Sequence, residues 1–89
     1  MDNEEPAVPK NWLQKQLTVD EAETEYMHEG IPFGGMNERW VAFKSQMIDG
    51  DEIWEFSSSV DSWNHLAGRA GLALIRRGKA IDCIVTILN

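Results

Sequence analysis

The chain has 89 residues, a net charge of −7, 43% hydrophobic and 26% charged side chains, and one cysteine, Cys83. That length specifies one domain with a modest core, and a lone cysteine excludes an internal disulfide framework and multi-cysteine zinc sites, which fits a reducing compartment. The acidic balance disfavours nucleic-acid backbones and anionic membranes as partners, and no apolar run approaches the ~18 residues of a transmembrane helix.

Residues 1–10, "MDNEEPAVPK", hold two prolines and three acids. They read as a disordered acidic tail with no apolar stretch of the secretory kind, so the cytoplasm is the expected location. Residues 11–89 are expected to form a single α+β domain. The segment "NWLQKQL" (11–17) reads as a short helical turn carrying Trp12, Leu13 and Leu17.

"TVDEAETEYMHEG" (18–30) has a helix start. Thr18 and Glu21 stand at capping-box spacing, where each side chain satisfies the other's free backbone N–H, and Asp20 and Glu21 suit the positive end of the helix dipole. Gly30 is the expected stop. The acids Glu21, Glu23, Glu25 and Glu29 belong to a strongly acidic first third: residues 1–29 carry eight acidic and two basic side chains, residues 30–89 seven and six.

"IPFGG" (31–35) is a loop, followed by a helix over about 37–48 with Asn37 as N-cap. Met36, Trp40, Phe43 and Met47 form its apolar stripe, the pattern of a core-facing helix. "DGD" (49–51) turns the chain. "EIWEFS" (52–57) alternates as a strand, with Trp54 and Phe56 on one face. "SSSVDSW" (57–63) is a polar loop with room for one helical turn bringing in Trp63 and Leu66.

"AGLALIRR" (70–77) suits a helix or the first arm of a hairpin. The β-branched run "AIDCIVTILN" (80–89) is a strand. Two apolar runs joined across Gly78 favour the hairpin, with strands near 71–77 and 80–88.

Chemical motifs are sparse. "GRAG" (68–71) lacks the Lys and Ser/Thr of a phosphate loop and the third glycine of a dinucleotide fingerprint. It fits the GxxG of a K-homology module, but that module needs a basic surface this composition does not supply. A sharp turn or close backbone approach remains its reading. Arg69, Arg76, Arg77 and Lys79 gather four of the six basic side chains after residue 30. "ExxH" at Glu25 and His28 is half of a bundle-type metal motif with no second half. His65 stands alone in a loop, and Cys83 sits in an apolar run that makes it a small core hydrophobe. No catalytic constellation, metal set or cofactor motif emerges.

The units "GDEIWEFSS", "SW..LAGRAGLALIRRG" and "IVTILN" together resemble a group of small, uncharacterised bacterial proteins. These share a GDExWxF strand, a serine-rich loop with a tryptophan, a GRxGxALxRxG element and an IxTxMN-like end. The resemblance spans roughly residues 36–89. It implies that "GRAG" belongs to a longer recurring unit and that a hairpin turn falls at Arg77–Gly78, where similar sequences carry D-G or N-G. It implies no activity.

The expected architecture is α+β: one or two N-terminal helices packed on a three-stranded, mostly antiparallel sheet that ends in a β-hairpin. The expected function is a non-catalytic protein-binding module, in one version an acidic inhibitor or immunity-like protein acting on a basic partner. Glu21 and Glu25 would steer the partner, and Arg69, Trp54 and Trp63 are the expected anchors, since arginine and tryptophan dominate interfaces. The alternative is a binder of a small anionic ligand through the GRAG loop and nearby arginines. No nucleic acid, membrane or cofactor is expected, and the long apolar final strand invites pairing into a homodimer.

Overall fold

A computed structural model describes residues 8–89. The tail reading for residues 1–7 lies outside the described residues. Six strands and three α-helices follow in chain order: β1 Leu13–Leu17, α1 Val19–Glu25, β2 Met27–His28, β3 Ile31–Pro32, α2 Asn37–Ser45, β4 Glu52–Ser57, α3 Val60–Asn64, β5 Arg69–Arg76 and β6 Lys79–Leu88. A 3-10 turn at Lys10–Trp12 precedes β1, and another at Gly34–Met36 leads into α2. The main sheet is antiparallel with order β1-β4-β5-β6, and β2 and β3 pair as a separate two-stranded hairpin.

The α+β expectation holds, but the sheet has four strands rather than three. Residues 13–17 are an edge strand, not a helical turn. Leu, Gln and Lys are good helix formers, and pairing with β4 overrides that preference. A bulge between Leu13 and Lys15 also hides the strand period. It shifts parity, so that Leu13 packs on one face of the sheet with Phe56 while Leu17 packs on the other with Ile53.

The capping box at Thr18 forms as expected: Thr18 Oγ1 accepts from the Glu21 amide at 3.0 Å, and Glu21 Oε1 accepts from the Thr18 amide at 2.8 Å. The helix is shorter than its sequence pattern. It ends at Glu25, and Gly30 is not its stop but part of the β2–β3 turn, where Glu29 (φ 52°) and Gly30 (φ 80°) are both left-handed. Tyr26 leaves the helix because its ring stacks on Phe33, at 4.9 Å between centroids. Asn37 is not an N-cap either. It is the first residue of α2, and its Nδ2 donates to the Pro32 carbonyl at 3.0 Å, tying the helix to β3.

Helices α1 and α2 cover one face of the sheet. Ala22, Trp40 and Phe43 are buried there against Leu17, Ile53, Leu72, Leu74 and Ile84. Trp40 and Phe43 fill the expected stripe, whereas Met36 at its start is exposed. The rings form a continuous stack, with Phe33–Trp40 at 4.5 Å and Trp40–Phe43 at 5.6 Å. The opposite face gathers Phe56, Ala73 and Ile75 under Val8, Trp12, Leu13 and Trp54. Strand β5 is central and buried from Gly71 to Ile75, which explains why its sequence shows an apolar run instead of alternation.

The β5–β6 hairpin turns at Arg77 (φ 53°) and Gly78 (φ 79°), both left-handed as a type I′ turn demands. Gly71 is required for another reason. A Cβ there would collide with the Ile84 carbonyl of β6, so β5 and β6 approach closely at this point. "GRAG" is therefore the start of a central strand and not an open loop. Trp63 of α3 lies against Gly68, and Leu66, expected to pack beside it, is exposed instead.

Gly71→Ala is expected to lower stability by about 1–3 kcal/mol, the usual cost of forcing atoms into a packed interior. Arg77→Asn is expected to raise it by up to about 1 kcal/mol, because asparagine tolerates the left-handed region. Urea unfolding midpoints check both, and a stabilising Gly71→Ala would contradict the close approach.

Candidate functional site

Helix α1 is rotated by what it buries. Ala22 points into the core, and Glu23 Oε2 accepts from Trp40 Nε1 at 2.8 Å and from Lys44 Nζ at 2.6 Å. This removes Glu23 from the surface acids that the sequence grouped together. Its carboxyl is held below the usual range, first by the Lys44 hydrogen bond and then by Trp40.

The remaining acids face outward along β1. Asp20, Glu21, Thr24 and Glu25 of α1, with Lys15 and Leu17 of β1, line an open cleft of about 390 Å³. Spacing of four residues puts Glu21 and Glu25 on one helix face and Asp20 and Thr24 beside them. Glu21 serves twice, since its carboxylate also closes the capping box.

Beside the cleft, β4 contributes Glu55, which the sequence reading did not count among the site residues. Glu55 is the register partner of Lys15, so both side chains project from the helix-covered face. Burial pushes the Glu55 carboxyl above its ordinary value, and the hydrogen-bonded, negatively charged Glu25 carboxyl pushes it further. Tyr26 Oη, 3.3 Å from Glu55 Oε2, donates to it and partly offsets the rise, as does the charge of Lys15. Tyr26 itself is pushed up to about 12, first by burial and then by Glu55 and Glu25, so its hydroxyl keeps its proton at neutral pH. The alternation of "DEIWEF" places residue 55 on the strand face opposite Trp54, and that much was legible. Its pairing with Glu25 depends on the α1–β4 contact and was not.

The other expected site residues lie elsewhere. Arg69 and Trp54 share the sheet face away from the helices. The Arg69 guanidinium lies over the Trp12 ring, 5.4 Å from its centroid, an arrangement worth about 0.5–1 kcal/mol at exposed sites. Trp54 Nε1 donates to Glu52 Oε1 at 2.9 Å, and its ring lines an apolar cleft of about 350 Å³ with Lys10, Leu13, Glu52, Ile75 and Gly78. Trp63 instead closes the β4–α3–β5 connection, donating from Nε1 to Ser57 Oγ at 3.1 Å.

Backbone groups of "GRAG" are engaged in the fold: the Arg69 amide donates to Ser58 Oγ at 2.9 Å, and the Gly68 carbonyl accepts from the Asn89 amide at 3.0 Å. The basic side chains nearby diverge. Arg76 makes a two-pronged contact with Asp51, at 2.9 Å from Nε and 2.7 Å from Nη2, and the Asp51 side chain is only 1% exposed. Arg77 is exposed in the hairpin turn.

Glu25 and His28 do not share a helix, because α1 ends between them. Among the described residues, no three His, Cys, Asp or Glu side chains are arranged to hold a metal ion. Burial, with Asp82 adding, pushes the Cys83 thiol up, away from the thiolate a nucleophile needs. No helix of the structure is long and apolar enough to cross a membrane. No family model, curated protein or solved structure matches the chain.

The raised Glu55 carboxyl has a consequence for stability against pH. A carboxyl whose folded pKa is raised binds its proton more tightly in the folded state than in the unfolded one. Its contribution therefore favours folding in acid and is lost as pH rises through the folded pKa. Glu55→Gln is expected to be more stable than the parent at neutral pH, with the difference closing as pH falls through the Glu55 titration. Urea midpoints measured from acid to neutral pH check this, and a less stable variant at neutral pH would show that the charged pair is not under strain.

Proposed function

We propose that this chain is a small non-catalytic protein-binding module whose cleft between α1 and β1 receives cationic side chains of a basic partner. The observation that carries this reading is Glu55: a partly buried carboxyl beside Glu25, its negative form disfavoured by both burial and charge. Within the cluster only Lys15 is positive. An arginine or lysine from outside supplies the charge that the site lacks, and its gain is larger where solvent is partly excluded.

Asp20, Glu21 and Glu25 steer such a partner toward the cleft, which raises the association rate more than it deepens affinity. An inhibitor or immunity-like protein that covers a basic surface is one form of this function. A reducing compartment such as the cytoplasm suits the half-buried, unpaired Cys83.

The test is calorimetric titration of the chain with a lysine- and arginine-rich peptide at low and high salt. The double variant Asp20→Lys/Glu25→Lys is expected to bind at least roughly tenfold more weakly at low salt, equivalent to about 1.4 kcal/mol. Glu21 is left intact because it also caps α1. For the parent, affinity is expected to rise with pH through the titration of Glu55, since the cation binds the deprotonated form. Equal binding by parent and double variant removes this reading.

A further inference from the structure

The two edges of the main sheet are β1 and β6. Strand β6 is its longest strand, ten residues, and holds only two charged side chains, Lys79 and Asp82. Its register to β5 shifts at two places, between Leu74 and Ile75 and between Ala70 and Gly71. Between those irregularities lies a regular run, Asp82–Val85, paired with Leu74–Gly71. An apolar, regular stretch at a sheet edge is the template on which another strand adds, unless something covers it.

Here Arg39 and Asp82 cover it. The Ile84 carbonyl lies toward β5, close against Gly71, so in the alternation of an antiparallel strand the backbone groups of Cys83 point outward. Both are occupied by side chains. The Cys83 amide donates to Asp82 Oδ1 at 2.8 Å, and the Cys83 carbonyl accepts from Arg39 Nη2 at 2.8 Å. Arg39 Nη2 also reaches Asp82 Oδ1 at 2.5 Å, and Gln46 Nε2 holds Asp82 Oδ2 at 2.5 Å. Arg39 and Gln46 come from α2 and the residue that follows it, so the helix side clasps the middle of the strand's outer edge.

We propose that the outer edge of β6 is a strand-pairing surface for a second copy of this chain, and that Arg39 is the latch that keeps it closed. A second copy is the fitting occupant because antiparallel pairing of β6 with itself about a two-fold axis matches length and register by symmetry. The exposed Ile87 and Leu88 extend the apolar surface such a pair would share. With Arg39 in place, an incoming strand meets a guanidinium where it needs a free carbonyl, and a carboxylate where it needs a free amide.

Sedimentation over a broad concentration range, with amide hydrogen exchange of β6, tests the latch. The parent is expected to remain a monomer, while Arg39→Ala doubles in sedimenting mass and gains protection at Cys83 and its neighbours. A folded Arg39→Ala that stays monomeric overturns the proposal. So does a dimer whose β6 amides exchange as in the parent, an open-ended assembly in place of a dimer, or a parent already paired through β6. Should Arg39→Ala fail to fold, Arg39→Met keeps an aliphatic stem but has no donor for either the carboxylate or the carbonyl. It is expected to dimerise, and a monomeric Arg39→Met would then count as the contrary result.

Discussion

The Trp40 indole fixes the arrangement of the helix layer. It is fully buried, and a buried N–H without an acceptor is costly, so Trp40 Nε1 needs a partner. Glu23 provides it, and Lys44 balances the charge that Glu23 brings inside. That one contact sets how α1 is turned about its axis. Ala22 and Glu23 face inward, and Asp20, Glu21, Thr24 and Glu25 are thereby left to line the cleft. The same indole stacks on Phe33 and Phe43, so the ring ladder from Tyr26 to Phe43 ties the end of α1, the small hairpin and α2 to a single core. Phe33 adopts a left-handed backbone (φ 64°) to bring its ring into the ladder, a local cost that the packing offsets.

What the sequence disclosed and concealed follows from the range of the interactions involved. The capping box of Thr18 and Glu21, strand 52–57 and the hairpin at Gly78 depend on neighbours within a few residues, and all three stand where they were expected. The strand at 13–17 depends on β4, some forty residues away, and its bulge hides the alternation that would have marked it. The early end of α1 depends on Tyr26 finding Phe33. Within the candidate site, Glu21 and Glu25 were visible as helix-surface acids. Glu23 was grouped with them because nothing local distinguishes a carboxylate that will accept from a distant tryptophan. Glu55 stayed hidden for the converse reason, since its character comes from Glu25, thirty residues earlier, and from burial.

The two sheet edges are managed by opposite means. At β1 the exposed Gln14, Lys15 and Gln16 and a bulge make the edge polar and irregular, and the acidic cleft opens beside it. At β6 the strand is long and apolar, and its regular stretch is closed by Arg39, Asp82 and Gln46 acting from the helix layer. Arg69, which first drew notice inside "GRAG", belongs to neither edge. It covers Trp12 on the far face, where the chain segment before β1 crosses the sheet.

The account of function rests on a carboxyl pair that the fold leaves electrostatically unfinished. The most direct measurement is the titration of the Glu55 side-chain carboxyl by NMR, for the free chain and with a saturating arginine-rich peptide. The account predicts a value above the ordinary glutamate range when free, falling on binding as the incoming cation stabilises the Glu55 carboxylate. An ordinary value in the free chain, or one that the peptide leaves unmoved, would contradict it.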